Sequence, residues 1–240
     1  MRERPYVLLS AAMSADGYID DASGTRLVLS DEADLDRVDE LRAGSDAILV
    51  GAQTIRTDNP SLRVRSIARQ RHRTEQGLAD GPRKVTLTRS GDLDPRARFF
   101  TAVPPAPPVE LPLVYAAQAA ADELTARLAG VAVVVPVPAI VPGSPPGHAG
   151  IDLHWILADL TARGVGRLMV EGGAEVLGQF LSAGLADELL LAVAPVFVAD
   201  AAAPRLLAGP RPGGRMTLAG VTQAGDMAVL RYLPRTAAAG

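Results

Sequence analysis

The chain reads as an α/β fold built on a mostly parallel sheet, and three observations lead there. Apolar runs of strand length recur from end to end, with helical patterns between several of them, which is the alternation that buries a parallel sheet on both faces. The 240 residues are 48% hydrophobic, enough for one large core, and no repeat or low-complexity tract divides them. The last two apolar runs flank Gly225-Asp226, a hairpin signal, so the sheet is expected to finish antiparallel.

The expected strands are Tyr6–Met13, Ala47–Val50, Lys84–Leu87, Leu113–Tyr115, Val131–Val135, Arg167–Val170 and Glu188–Val198, followed by the hairpin Met216–Thr222 and Met227–Leu233. A helix is expected over Asp31–Arg42, where Leu35, Val38 and Leu41 recur every third residue behind Ser30 as N-cap, with acids in the first turn. Ala120–Leu128, Ile151–Arg163 and Ala174–Ala183 carry similar patterns, and Trp155 sits at core spacing with Leu153 and Leu157. Ser66–Pro82, Val103–Pro112 and Pro136–Gly150 read as surface loops, being polar and basic or rich in proline and glycine. Residues 1–240 are expected to form one domain with a frayed tail over 236–240.

Bulk properties exclude several functions. A net charge of −3 and few aromatics argue against a nucleic-acid platform. The absence of cysteine removes disulfides, thiolate metal sites and cysteine nucleophiles, and fits a reducing cytoplasm. His72, His148 and His154 show no metal-ligand spacing, so no metal is expected. The N-terminal apolar run is broken by Ser10, Ser14 and Asp16 and is too short for a membrane span.

Three stretches can carry chemistry. Val170-Glu171-Gly172-Gly173-Ala174 ends a strand in a carboxylate, turns on two glycines and enters a helix. Glycine permits close approach of a ligand, and the unpaired N–H groups of a helix start suit a phosphate or pyrophosphate, although a plain tight turn reads the same way. In Gly51–Arg65, Thr54 offers a hydroxyl to a phosphate or caps a short helix, Asp58-Asn59-Pro60 marks a turn, and Arg65 suits an anion. Ala12-Met13-Ser14-Ala15-Asp16-Gly17 follows the first strand with a turn pair. Each stretch lies at a strand's carboxyl end, where open α/β sheets bind ligands.

At these residues the chain resembles the riboflavin-pathway pyrimidine reductase domain family. The resemblance rests on Ser14-Ala15-Asp16-Gly17, Ser23-Gly24 through Leu41-Arg42-Ala43, Asp46 to Gly51, Thr54 with Asp58 to Arg65, Val170 to Gly173, and Gly184 to Leu189, and it covers nearly the whole length. It implies a dihydrofolate-reductase-like three-layer domain, NADPH as cofactor, a ribosylamino-pyrimidine phosphate as substrate and a homodimer. Carried over by position, Ala12, Val28, Thr54, Asp58, Gly172, Gly173 and Ala174–Gln179 (Ala174, Glu175, Val176, Leu177, Gly178, Gln179) would contact the cofactor. Arg26, Arg42, Leu62, Arg65 and Glu171 would contact the substrate, Glu171 orienting the ring, and Arg89 beyond the third strand would meet a 2′-phosphate.

The sequence departs from the family pattern at three points. Many members have a lysine at Ser10, an aromatic at Val28 and a second aspartate at Asn59, and the missing lysine weakens the case for a phosphorylated substrate. The zinc deaminase domain fused to some members cannot be built without cysteine. The competing expectations are a same-fold reductase of dihydrofolate or a related pterin, and a non-catalytic NADP(H)-binding protein.

Overall fold

In the computed structural model, which describes residues 3–21, 23, 27–102, 110–138, 151–207 and 215–235, the apolar runs become nine mostly parallel strands. The elements are β1 (Tyr6–Ser14), α1 (Glu32–Ala43), β2 (Ala47–Gly51), α2 (Ala52–Asp58), α3 (Ile67–Glu75), β3 (Arg83–Thr88), α4 (Arg98–Thr101), β4 (Leu113–Ala117), α5 (Gln118–Arg127), β5 (Val133–Val137), α6 (Leu153–Ala162), β6 (Arg167–Gly172), α7 (Ala174–Ser182), β7 (Glu188–Ala194), β8 (Met216–Ala224) and β9 (Met227–Pro234). They divide into two compact units, one of Met1–Tyr6 with Asp39–Met169, the other of Val7–Val38 with Val170–Gly240.

In the first unit the strand order is β5-β4-β3-β2-β6. Every residue of β2 is buried, as its unbroken apolar sequence requires of a strand covered on both faces. It pairs in parallel with β3 (Val50 opposite Thr86), and β3 with β4 (Thr86 opposite Val114). Strand β5 is displaced by two residues from the expected run and takes in Pro136, which was expected to open a loop. β5 ends the strand order, and an edge strand tolerates a residue without an N–H. On α6, Trp155 meets Tyr115 of β4 edge to face at 6.4 Å, and the Tyr115 hydroxyl donates to Asp159 at 2.7 Å.

The expected loop Ser66–Pro82 instead begins with α3. The Ser66 side chain caps it by accepting from the Arg69 N–H. Its anchor is a charge rather than an apolar stripe, which is why hydrophobic periodicity missed it. Arg73 is 5% exposed and donates to the carbonyls of Ala43 (2.7 Å), Ser45 (2.9 Å), Ala79 (2.9 Å) and Gly81 (3.1 Å). The chain's single lysine, Lys84, acts similarly on the unforeseen helix α4, donating from Nζ to the carbonyls of Phe99 and Ala102. Burial, and secondarily the charge of Arg63, pushes the Lys84 amine down to about 8.

In the second unit β1, β7, β9 and β8 follow in order, β1 and β7 parallel and β7, β9 and β8 antiparallel. Strand β7 stops at Ala194, short of the expected Val198, because Pro195 has no N–H and residues 196–199 become a loop. The hairpin turn at Gly225 has φ +59°, and a Cβ there would collide with the Asp31 carboxylate. That carboxylate accepts from the Asp34 N–H at 2.9 Å and the Asp226 N–H at 2.8 Å. Asp31, not Ser30, therefore caps α1, since the helix begins one residue later than its apolar spacing suggested. Leu35, Val38 and Leu41 are only half-buried, and the deepest side chains of α1 are Asp34 and Asp39. The 236–240 tail lies outside the described residues.

Replacing Arg73 with alanine would leave four inward carbonyls without their charged donor. We expect a loss of about 3 kcal/mol or more of unfolding free energy, read from the urea midpoint at unchanged slope.

Candidate active site

The sequence-derived site residues fall into two groups, one in each unit. In the first, Gly51 closes β2 at its carboxyl end and leads directly into α2. Thr54 lies inside this helix and is half-buried; it does not cap it, because the N-cap is Gly51, with no side-chain hydrogen bond. Asp58 is the last helical residue and accepts from the Thr57 hydroxyl at 2.8 Å. Asn59 takes the left-handed conformation (φ +44°) that ends α2, as the Asp-Asn-Pro sequence predicts. Its side-chain oxygen accepts from the Arg98 N–H at 2.7 Å, which ties the turn to α4.

The chain then makes a second left-handed residue, the buried Leu62 (φ +51°), before Arg63-Val64-Arg65. Arg42 of α1 reaches this segment and donates to the Arg63 carbonyl at 3.3 Å. Arg65 presents a side chain 56% exposed, with its Nε 4.0 Å from Asp39 Oδ1. The structure thus brings Arg42, Leu62 and Arg65 to one turn. Arg89 lies apart from it in the sequence, exposed one residue beyond β3.

In the second unit, Ala12 is half-buried on β1, opposite Ala192 of β7. Beyond it the Ser14 hydroxyl donates to Asp16 Oδ1 at 2.6 Å and accepts from the Tyr18 N–H at 2.9 Å. The Asp16 carboxylate also receives the N–H groups of Val198 (3.2 Å) and Ala199 (2.8 Å). Arg205 donates to the Tyr18 hydroxyl at 2.9 Å with its guanidinium over the same ring. This loop pairing was not foreseen, because its partners are some 180 residues apart in the chain.

Glu171 is the penultimate residue of β6 and half-buried. Gly172 has φ +111°, a conformation other residues rarely adopt, and the Gly172–Gly173 peptide is cis. Gly173 is the N-cap of α7 and has no side chain with which to cap it. Ala174 and Gln179 are half-buried, Glu175 is exposed, and Val176, Leu177 and Gly178 are buried in α7's own packing. Val28 is 70% exposed ahead of α1, and Arg26 lies outside the described residues. Among the described residues no group of three or more acidic or histidine side chains is arranged to hold a metal.

Residues 5–230 match the model of the RibD C-terminal domain. The chain belongs to the RibD C-terminal domain family. It is 34% identical over 206 residues to the 2,5-diamino-6-ribosylamino-4(3H)-pyrimidinone 5′-phosphate reductase of Methanothermobacter thermautotrophicus, covering 86% of this chain and 85% of that protein. The enzyme of the same name from Archaeoglobus fulgidus is 33% identical, covering 86% and 87%. A pyrimidine reductase-like protein from Corynebacterium diphtheriae superposes with a TM-score of 0.77 at 26% identity, covering 97% of this chain and 93% of that one. Acinetobacter baumannii RibD shares the fold (TM-score 0.74, 23% identity); 98% of this chain spans 59% of it. The fold is thus the dihydrofolate-reductase-like fold of RibD reductase domains.

The Asp16 turn has a pH signature. The Ser14 hydroxyl, followed by the Ala199 and Val198 N–H groups, lowers the carboxyl from 3.8 to about 2. A depressed acid contributes stability that is complete above its unfolded value and is lost as pH falls from about 3.8 through about 2. Asp16→Asn should be less stable than the parent at neutral pH and flatten the acid limb of the stability curve. Melting temperatures between pH 2 and 6 check this.

Proposed function

We propose that this RibD-family domain is an NADPH-dependent reductase that transfers a hydride to the ribosylamino group of 5-amino-6-(5-phosphoribosylamino)uracil, or of the diamino-pyrimidinone named for its archaeal relatives. The observation that carries the reading is the family match across residues 5–230, joined to a glycine turn that leads into a helix at the carboxyl end of β6.

The residues fit a dinucleotide. The Gly172-Gly173 turn keeps Cβ atoms away from the α7 N-terminus, where N–H groups and the helix dipole favour a pyrophosphate. Ala12, Val28, Thr54, Asp58 and Ala174–Gln179 of α7 are assigned to the remainder of the cofactor, and Arg89 to a 2′-phosphate. When bound, NADPH supplies the hydride; the chain supplies position and electrostatics. Glu171 accepts the amino and N–H edge of the pyrimidine as a carboxylate. Arg65, and Arg42 reaching the same turn from α1, would bind the anionic ribose phosphate; Arg26 and Leu62 join them in this assignment. A hydride added at the ribosyl C1′, with the C1′–O4′ bond broken and a proton from solvent taken up by the released O4′, would give the ribitylamino product.

We further propose a homodimer of a cytoplasmic protein. The β8 edge strand exposes Leu218 (51%) and Val221 (58%), an apolar edge that a second copy would cover, and light scattering reads the mass.

The deciding experiment is an NADPH-oxidation assay with the two pyrimidine phosphates and dihydrofolate side by side. Oxidation with a pyrimidine phosphate, at higher kcat/KM for NADPH than for NADH, is expected. Oxidation with dihydrofolate alone would assign a folate reductase, and none with any substrate a nucleotide-binding protein.

Two variants test the division of labour. Glu171→Gln should lower kcat by about tenfold or more, because about 1.4 kcal/mol of transition-state stabilisation is a factor of ten. Arg65→Ala should instead raise the pyrimidine-phosphate KM about tenfold with little change in kcat, as loss of uniform binding does. The KM for NADPH should stay near the parent value in both. Unchanged kinetics in folded variants with lower melting temperatures would remove the substrate assignment.

A further inference from the structure

We propose that Asp39 is a positioning residue for substrate binding, the buried anchor that holds Arg65 in its place. The inference rests on the reading that Arg65 meets the substrate. Asp39 lies in the middle of α1 and is 2% exposed, an unusual location for a carboxylate on a helix whose sequence offers leucine and valine for burial. Its two oxygens are aimed at one short stretch of chain. Oδ1 accepts from the Arg65 N–H at 2.5 Å, and Oδ2 accepts from the Ser66 N–H at 3.1 Å and from Arg69 Nη1 at 3.1 Å. The Arg65 Nε lies 4.0 Å from Oδ1, so the same carboxylate holds both the backbone and the side-chain base of Arg65.

The segment needs such an anchor. It follows Asn59 and Leu62, two residues in the left-handed region, and runs between helices with no strand pairing to fix it. Arg42, one helical turn along α1 from Asp39, secures the Arg63 carbonyl at 3.3 Å. One helix therefore grips the turn twice, from a buried acid and from a surface base. The carboxylate also pairs with Arg69 at 3.1 Å, and a carboxylate can accept several donors that a neutral amide, with its single oxygen, cannot. Half of the Arg65 side chain remains exposed to a ligand, with its starting point already set. Preorganisation of this kind lowers the cost of binding rather than the barrier of the chemical step.

The test is a double-mutant cycle on the full chain with the pyrimidine phosphate and NADPH. Asp39→Asn should raise the pyrimidine-phosphate KM about tenfold while kcat and the NADPH KM stay within about threefold. Combined with Arg65→Ala it should add little to the effect of Arg65→Ala alone, because both changes remove the same contact. If D39N does not fold, D39E serves: it keeps the charge but displaces the carboxylate by one methylene, and should raise KM in the same direction. A folded variant with a lower melting temperature but parental KM, or KM effects that multiply in the double variant, overturns the proposal. Arg65→Ala separates the two levels. If it leaves KM unchanged, the substrate reading fails and the positioning role falls with it; if it raises KM while D39N does not, the positioning role alone fails.

Discussion

Loop backbone that leaves a strand or helix must find partners for its N–H groups, and in this protein aspartate carboxylates meet that demand. Asp16 receives Val198 and Ala199, Asp31 receives Asp34 and Asp226, Asp39 receives Arg65 and Ser66, Asp46 receives Gly166 and Arg167, and Asp187 receives Val7. A buried N–H without an acceptor costs about 1–3 kcal/mol, which weighs most at the part-buried bonds of Asp39 and Asp187; the bonds of Asp46 are exposed and tie segments together at smaller gain. Most of these bonds join segments far apart in the chain. They place the turns, and the turns carry the site residues.

The bases answer the complementary need. Arg73 donates to four carbonyls around the start of β2 and the approach to β3, and Lys84 closes α4 by two more. Arginine suits the first task because its planar fork reaches several acceptors at once and stays charged when half-enclosed. Lysine at Lys84 has a compact ammonium that burial brings down to about 8, so its charge is the more conditional of the two. The arginines proposed for substrate are others: Arg26, Arg42 and Arg65.

The two turns to which site residues are assigned, one in each unit, are built differently. The β6–α7 turn is local: strand, two glycines and helix follow within a few residues, and the anion site proposed there would be made by backbone N–H groups. The Arg65 turn depends on α1, more than twenty residues away, and on a buried charge. A cofactor cradle made from backbone tolerates side-chain changes that spare the glycines. A substrate arm held by one carboxylate, as proposed for Arg65, would not.

What the sequence alone determined follows from local physics. Strand-length apolar runs specified the strands, β2 most clearly, because a strand covered on both faces must be apolar throughout. The Gly225-Asp226 turn specified the hairpin, Asp58-Asn59-Pro60 the end of α2, and Glu171-Gly172-Gly173 the strand end and helix start, because glycine and asparagine reach left-handed backbone at low cost. Tertiary structure decided what depends on distant partners. Helix α3 was invisible to periodicity because a buried arginine, not a hydrophobic face, holds it. Ser30 lost the α1 cap to Asp31, whose second oxygen is engaged by the hairpin turn. Asp39 gave no signal at all. A polar residue within an amphipathic pattern reads as solvent-facing until the fold brings it the donors that permit its burial.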